Sequence, residues 1–206
     1  MKMRMKKSIS LLAVCLLVVG ILTGCGTKFD AGKYVQAQLD NSFKNDSSLI
    51  VEQKIAEADD AKEVYEQGID TVVDNFFLGV TVSDDLKARY KEIFQKMFEK
   101  AEYTIKESAK QDDGSYTVTI EYKKMKFFEP ALEQLKDKAE DMNSDDVNDY
   151  FEALADIMEG IINDGVEYGD AKTMDIHVEI QNKVYTINST DIQTLNNEIF
   201  DFDKVQ

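Results

Sequence analysis

The chain has 206 residues, of which 43% are hydrophobic, so it can form one globular domain with a substantial core. With 40 Asp and Glu residues against 24 Lys and Arg residues, its formal net charge is −16, which argues against nucleic acid as a partner. Both cysteines, Cys15 and Cys25, lie near the N-terminus. The rest of the chain can therefore form neither a disulfide nor a thiolate metal cluster.

The N-terminus has the organisation of a cleaved export leader. Four basic residues between positions 2 and 7 precede an apolar run over Ile9–Leu22, which is the pattern of a secretory signal peptide. The run is shorter than the roughly 20 residues that span a bilayer as a helix. It ends in Leu22-Thr23-Gly24-Cys25, which resembles the lipobox of bacterial lipoproteins. The resemblance implies cleavage between Gly24 and Cys25 and attachment of lipid to Cys25.

These features predict a lipoprotein signal peptide (residues 1–24), a lipidated tether (25–32) and a single extracytoplasmic domain (33–206). The two acyl chains of a diacylglyceryl group suffice for stable anchoring, so we expect the domain at the outer face of the cell membrane. The alternative is an uncleaved anchor, or an ordinary secretory signal with a chance cysteine. Removal of residues 1–24 leaves 20 basic and 40 acidic side chains, a net charge of −20. Apart from its lipid, such a domain is repelled by an anionic membrane.

In some segments of the domain apolar residues recur every three or four residues, which is typical of helices. In other segments they recur every two residues, which is typical of strands. Pro130 and Ser144-Asp145-Asp146 mark the starts of later helices, and the segment 111–115 is typical of a hairpin turn. The predicted elements are helices over 33–43, 49–78 and 83–101, a hairpin of strands 103–109 and 116–122, helices over 129–139 and 147–162, a hairpin of strands 173–180 and 184–188, and a helix over 191–200.

This order predicts an α+β fold in which amphipathic helices pack on an antiparallel sheet built from two hairpins. A spacing of 60 residues aligns Tyr90–Glu99 with Tyr150–Glu159, so an internal duplication is an alternative to one domain with a single sheet. A lipobox followed by an acidic helix-and-hairpin domain resembles the small lipoproteins of Gram-positive bacteria. That resemblance implies a cystatin-like or nuclear-transport-factor-like arrangement and carries over no active-site residue.

Few side chains are suited to catalysis. His177 is the single histidine, and its alternation with Ile176 and Val178 points it away from the apolar side of its strand. The sequence has no nucleophile elbow, no phosphate-binding glycine loop and no His-Glu-x-x-His motif. A pair of carboxylates could hydrolyse a glycoside, but some pair is inevitable among 40 acids. We therefore expect a protein that is not an enzyme and has no cofactor, with a carboxylate-dependent envelope hydrolase as the remote alternative.

Acidic clusters and aromatic pairs each have a structural interpretation beside a binding one. Calcium takes six to eight oxygen ligands, but clusters such as Asp112-Asp113 and Asp145-Asp146 match no EF-hand loop and fall where turns and helix caps are expected. We therefore predict no metal site. The pairs Phe76-Phe77 and Phe127-Phe128 could line an apolar pocket, although helical spacing favours a place in the core.

Strand alternation also predicts which side chains share the solvent-facing side of the sheet. If no helix covers that side, it is the expected binding face, and the acidic composition favours a basic envelope protein as the partner. A small apolar ligand or lipid, carried in a pocket, is the alternative. The candidate residues on this face are Thr117, Thr119, Glu121, Asp175, His177 and Glu179.

Overall fold

The computed structural model describes residues 21–22, 29–142 and 146–205. Gly24, Cys25 and most of the predicted leader lie outside the described residues. The strands are β1 (Ile21–Leu22), β2 (Tyr103–Lys110), β3 (Tyr116–Lys126), β4 (Glu167–Gln181) and β5 (Val184–Ile187). The helices are α1 (Ala31–Lys44), α2 (Ser48–Glu52), α3 (Ala58–Phe76), α4 (Asp84–Glu99), α5 (Phe128–Asp141), α6 (Val147–Asp164) and α7 (Ser189–Phe200), followed by a 3₁₀ turn at Phe202–Val205.

The strands form one antiparallel sheet in the order β1-β5-β4-β3-β2. Strands β2 and β3 form the first predicted hairpin, β4 and β5 form the second, and the long β3–β4 pairing joins the two. Strand β1, which falls inside the predicted leader, pairs with Tyr185 and Val184 of β5. The α+β class with an antiparallel sheet of two hairpins is confirmed.

Helices α1 and α7 pack against one face of the sheet. On that face Val118, Ile120, Ile176 and Val178 are fully buried. Behind this layer, α1 contacts α3 and α4, and α4 contacts α6. The core therefore lies between the sheet and the helices, and the side chains that alternate with these four residues point away from it.

One predicted helix, over 49–78, is divided in the structure into α2 and α3. Lys54 adopts a left-handed φ of 55°, and the N–H of Ile55 donates to the carbonyl of Ile50 at 2.9 Å. This is the ending typical of a Schellman motif. Ile50 and Ile55 are both buried, so the interruption places two apolar side chains in the core that a continuous helix would have separated.

Strand β4 is longer than predicted, because it begins at Glu167 instead of residue 173. Its additional residues pair with the far half of β3. Residues 167–173 are exposed or half-buried, so no apolar alternation marks this part of the strand. Gly165 ends α6 with a φ of 102°, and Gly169 lies within β4.

The 60-residue spacing does not correspond to a repeat of structural elements. It aligns α4 with α6, but it places the turn of the first hairpin, residues 111–115, on residues 171–175 in the middle of β4. The described strands form one sheet, which agrees with the interpretation as one domain with a single sheet. No helix among the described residues is long and apolar enough to cross a membrane.

Arg89 on α4 links that helix to three carboxylates of α6. Its guanidinium donates to Glu159, Asp156 and Glu152, with N–O distances of 2.7 to 3.0 Å. The hydrogen bonds to Glu159 and Asp156 raise the pKa of Arg89, and Arg89 in turn lowers the pKa values of both carboxyl groups. The three acids lie three and four residues apart on one helix face, so they repel one another without Arg89.

We expect Arg89→Met to lower the free energy of unfolding by about 1–2 kcal/mol at neutral pH, because three neighbouring carboxylates lose their shared cation. The pKa values of Asp156 and Glu159 are lower in the folded than in the unfolded chain. The stabilisation is therefore complete above about pH 5 and lost as the pH falls through the folded-state values. Urea unfolding near pH 7 and near pH 2.5 measures both effects.

Lys87→Met is the matched control on the same helix, because Lys87 pairs with one exposed carboxylate, that of Asp74, at 3.2 Å. Its loss should cost less than about 0.5 kcal/mol. An equal effect of the two substitutions, or an effect of Arg89→Met that does not shrink in acid, would contradict the prediction.

Candidate functional site

The six residues predicted to share the solvent-facing side of the sheet do share it. In the β3–β4 pairing, Thr117 lies opposite His177 and Thr119 lies opposite Asp175. Glu121 follows on β3, and Glu179 follows on β4. Opposite residues of an antiparallel pair project to the same side, and helices α1 and α7 pack on the other side. We call this side the open face; its role in binding stays a prediction.

Hydrogen bonds order the side chains in the centre of the open face. The hydroxyl of Thr119 donates to Oδ1 of Asp175 at 2.7 Å. The ammonium of Lys106 lies 3.1 Å from Oε1 of Glu121, and the hydroxyl of Thr117 accepts from the side-chain amide of Gln111 at 3.0 Å. The face is therefore a polar surface whose groups already have defined directions.

Carboxylates outnumber cations on the open face. Glu107 lies opposite Thr119 in the β2–β3 pairing, so it joins Glu121, Asp175 and Glu179 on this side. Two lysines lie on the same side: Lys106 pairs with Glu121, and Lys123, two residues after Glu121 on β3, pairs with Glu102. The open face thus presents a negative surface, consistent with the acidic composition of the whole chain.

His177 has a carboxylate partner that the sequence analysis did not find. Both its backbone N–H and its ring Nδ1 lie 2.8 Å from Oδ2 of Asp191, in the first turn of α7. Because a carboxylate accepts hydrogen bonds, Nδ1 carries the proton in this pair. The His177 side chain is 55% exposed. Asp191 therefore fixes the ring on the open face while the rest of the imidazole remains accessible.

The start of α7 is tied to the open face by a second contact. Asn188 caps the helix by accepting from the N–H groups of Thr190 and Asp191. Its amide also donates to Oε1 of Glu179 at 2.6 Å. This hydrogen bond, with a further one from Gln181, lowers the pKa of Glu179. Glu179 is accordingly held as a carboxylate at the rim of the face.

The His177–Asp191 pair is half of the arrangement that nucleophilic catalysis requires. The hydroxyl opposite His177 in the sheet belongs to Thr117, and its described partner is Gln111. No described contact joins the imidazole to a hydroxyl or thiol. The open face offers a partner ionic and hydrogen-bonding groups.

Among the described residues, no group of three or more His, Cys, Asp and Glu side chains is placed to hold a metal ion. Individual members of the acidic clusters have local structural roles. Asp113 accepts from the N–H and hydroxyl of Ser115 in the hairpin turn. Asp146 caps α6 by accepting from the N–H of Asn148. Turn and cap formation thus accounts for these two acids.

The two predicted aromatic pairs pack in or against the core. Phe77, Phe94, Phe127 and Phe128 are buried, and Phe76 is half-buried against the core. A groove of about 330 Å³ lies between α3 and α4, but the ion pairs Lys87–Asp74 and Lys91–Asp70 stand along it. It is not the apolar pocket that a lipid carrier requires. The groove is lined by Asp70, Val73, Asp74, Lys87, Ala88 and Lys91.

No protein-family model matches the chain, and no curated protein matches it in sequence. The structure is similar to the crystal structure of a protein from Bacillus subtilis subsp. subtilis str. 168 described as "a putative lipoprotein (ycdA)", with a TM-score of 0.55 and 14% sequence identity. The similarity covers 81% of this chain and 54% of that chain, so this chain spans about half the length of its neighbour. At this identity, the comparison shows a shared fold.

Proposed function

We propose that this protein is a lipid-anchored lipoprotein of the outer face of the cell membrane, and that its open face binds a basic protein of the cell envelope. The anchor is supported by the basic and apolar leader and by the lipobox that ends at Cys25. It is further supported by a structural neighbour that is described as "a putative lipoprotein". The anchor would hold the domain where envelope proteins are its accessible partners.

The observation that carries the binding proposal is the uncovered, acidic side of the sheet. The backbone of these strands is held by the ladder, so binding would not have to order the main chain. The hydrogen bonds from Thr119 to Asp175 and from Asn188 to Glu179 fix two of the carboxylates. A partner with a positive surface would be attracted at a distance and oriented on contact.

The double variant E121Q/D175N tests this proposal, because it removes two charges from the centre of the open face and retains side chains of the same shape. We expect it to recover a basic partner about fivefold less efficiently than the wild type, since charge complementarity guides association. The measurement is crosslinked capture from native membranes at low and moderate salt, with the captured protein identified by mass spectrometry. Wild-type capture should weaken as salt rises.

The matched control is E133Q/D137N, which removes the same number of charges from exposed positions on α5. Wild type and control should capture the same protein, and the open-face variant should lose it. Equal capture by all three proteins would exclude the open face. An equal loss of capture in the two variants would mean that net charge causes the effect. That result would also contradict a local binding site on the open face.

A further inference from the structure

The continuously described part of the domain begins at Phe29. Its ring stacks on that of Tyr185, with centroids 3.8 Å apart and planes inclined by 4°. The same ring contacts Tyr116 at 5.3 Å and Tyr34 at 5.5 Å. The next residue, Asp30, caps α1. Phe29 is therefore attached simultaneously to the sheet and to the first helix.

This attachment limits how far the domain can stand from a lipid on Cys25. Phe29 follows Cys25 by four residues, and an extended chain covers at most about 3.6 Å per residue. The backbone of Phe29 thus lies within roughly 15 Å of the lipidated cysteine. Whichever end of the domain contains Phe29 must also be the end near the membrane.

That end contains both hairpin turns of the sheet. Tyr116 directly follows the β2–β3 turn and pairs with Val178, close to the β4–β5 turn. A Cβ atom on Gly114, in the β2–β3 turn, would lie 3.2 Å from Cδ1 of Ile180. Ile180 lies beside the β4–β5 turn. The two turns are therefore neighbours. We call residues 29–33, 110–116 and 180–185 the hairpin end.

The hairpin end differs in charge from the rest of the domain. It contains three basic and three acidic residues, whereas the chain from Cys25 onward contains 20 basic and 40 acidic residues. It also exposes an apolar side chain, that of Ile180, which is 40% accessible. A neutral surface with an exposed apolar group can approach an anionic membrane at lower electrostatic cost than the acidic remainder.

We propose that the hairpin end rests against the lipid surface, so that β4 stands upright and the open face points sideways, parallel to the membrane. This inference rests on the lipid anchor of the proposed function. The opposite end of β4, at Glu167, would then lie about 45 Å farther from the membrane, at about 3.3 Å per residue. A partner would reach the open face from beside the domain and would not need to pass beneath it.

The test compares two labels at opposite ends of β4. Gln181→Cys and Glu167→Cys place a fluorophore on exposed residues of the acylated, full lipoprotein. The proteins are reconstituted in phosphatidylethanolamine–phosphatidylglycerol vesicles that contain a lipid with a nitroxide on its headgroup. We expect headgroup quenching at least about threefold stronger at position 181 than at position 167, because the two ends differ so much in height. Insertion of a 20-residue Gly/Ser linker after Gly26 should abolish the difference by releasing the domain from the surface.

Equal quenching at both positions in the vesicle-bound protein, or stronger quenching at position 167, would overturn the orientation and leave the anchor intact. Failure of the protein to float with the vesicles would overturn the anchor, and the orientation with it. A difference that persists unchanged with the linker would support the orientation and would refute the short tether as its cause.

Discussion

Replacing Cys25 with alanine, in a chain exported behind a leader that ordinary signal peptidase removes, should transfer the protein from the membrane fraction to the soluble extracytoplasmic fraction. The lipid on this residue supplies the proposed attachment. Two acyl chains anchor a protein stably to a membrane, whereas one chain binds only marginally. The remaining chain has a net charge of −20, so an anionic surface offers it no substitute attraction. Fractionation with immunodetection measures the transfer.

Circular dichroism of the released domain should match that of the wild type, because residue 25 lies four residues before Phe29, where the continuously described domain begins. Cys15→Ala in the native leader is the matched control, since Cys15 lies within the apolar run and acts there as a small hydrophobic residue. It should remain in the membrane fraction and carry the same lipid by mass spectrometry. Retention of the Cys25→Ala protein in membranes would refute the anchor.

Phe98→Ala should lower the free energy of unfolding by about 3–5 kcal/mol, the range typical of a large aromatic side chain truncated in a core. The Phe98 ring is fully buried and contacts Phe43 of α1, Phe200 of α7 and Phe202 of the 3₁₀ turn, with centroids 4.7 to 6.3 Å apart. Truncation removes contacts to three elements at once and leaves a cavity that rigid aromatic neighbours fill poorly. Urea unfolding monitored by circular dichroism measures the loss.

Leu78→Ala is the control for the loss of a large apolar side chain, because Leu78 is 59% exposed. It should change the free energy of unfolding by less than about 0.5 kcal/mol. A comparable cost for both substitutions would mean that Phe98 does not join the helices as described. A loss below about 1 kcal/mol at Phe98 alone would indicate a core able to close around the cavity.

Local periodicity was sufficient to predict several elements that have one buried side. The predicted helix over 83–101 corresponds to α4, which is capped by the hydroxyl of Ser83 accepting from the N–H of Leu86. Alternation around His177 correctly separated the open face from the core, because Ile176 and Val178 are buried against α1 and α7. Where the residues of a strand remain exposed or half-buried, as in 167–173, no apolar periodicity was available to predict it.

Contacts between distant parts of the chain could not be predicted in the same way. Asp191 reaches His177 because α7 turns back from β5, which depends on the packing of α7 against the sheet. Arg89 meets acids 63 to 70 residues later in the chain through the α4–α6 contact. Spacing shows that such side chains are exposed on their own elements, but only the assembled fold pairs them.

Strand β1 has a consequence for the crowding of anchored molecules. Cleavage before Cys25 would remove Ile21 and Leu22, and β5 would then become an outer edge of the sheet. That edge has four residues, and the carbonyl of Tyr185 already accepts from the hydroxyl of Tyr34. Short, partly satisfied edges are poor templates for a neighbouring chain. Copies concentrated in the plane of a membrane would thus have little opportunity to join through this edge of the sheet.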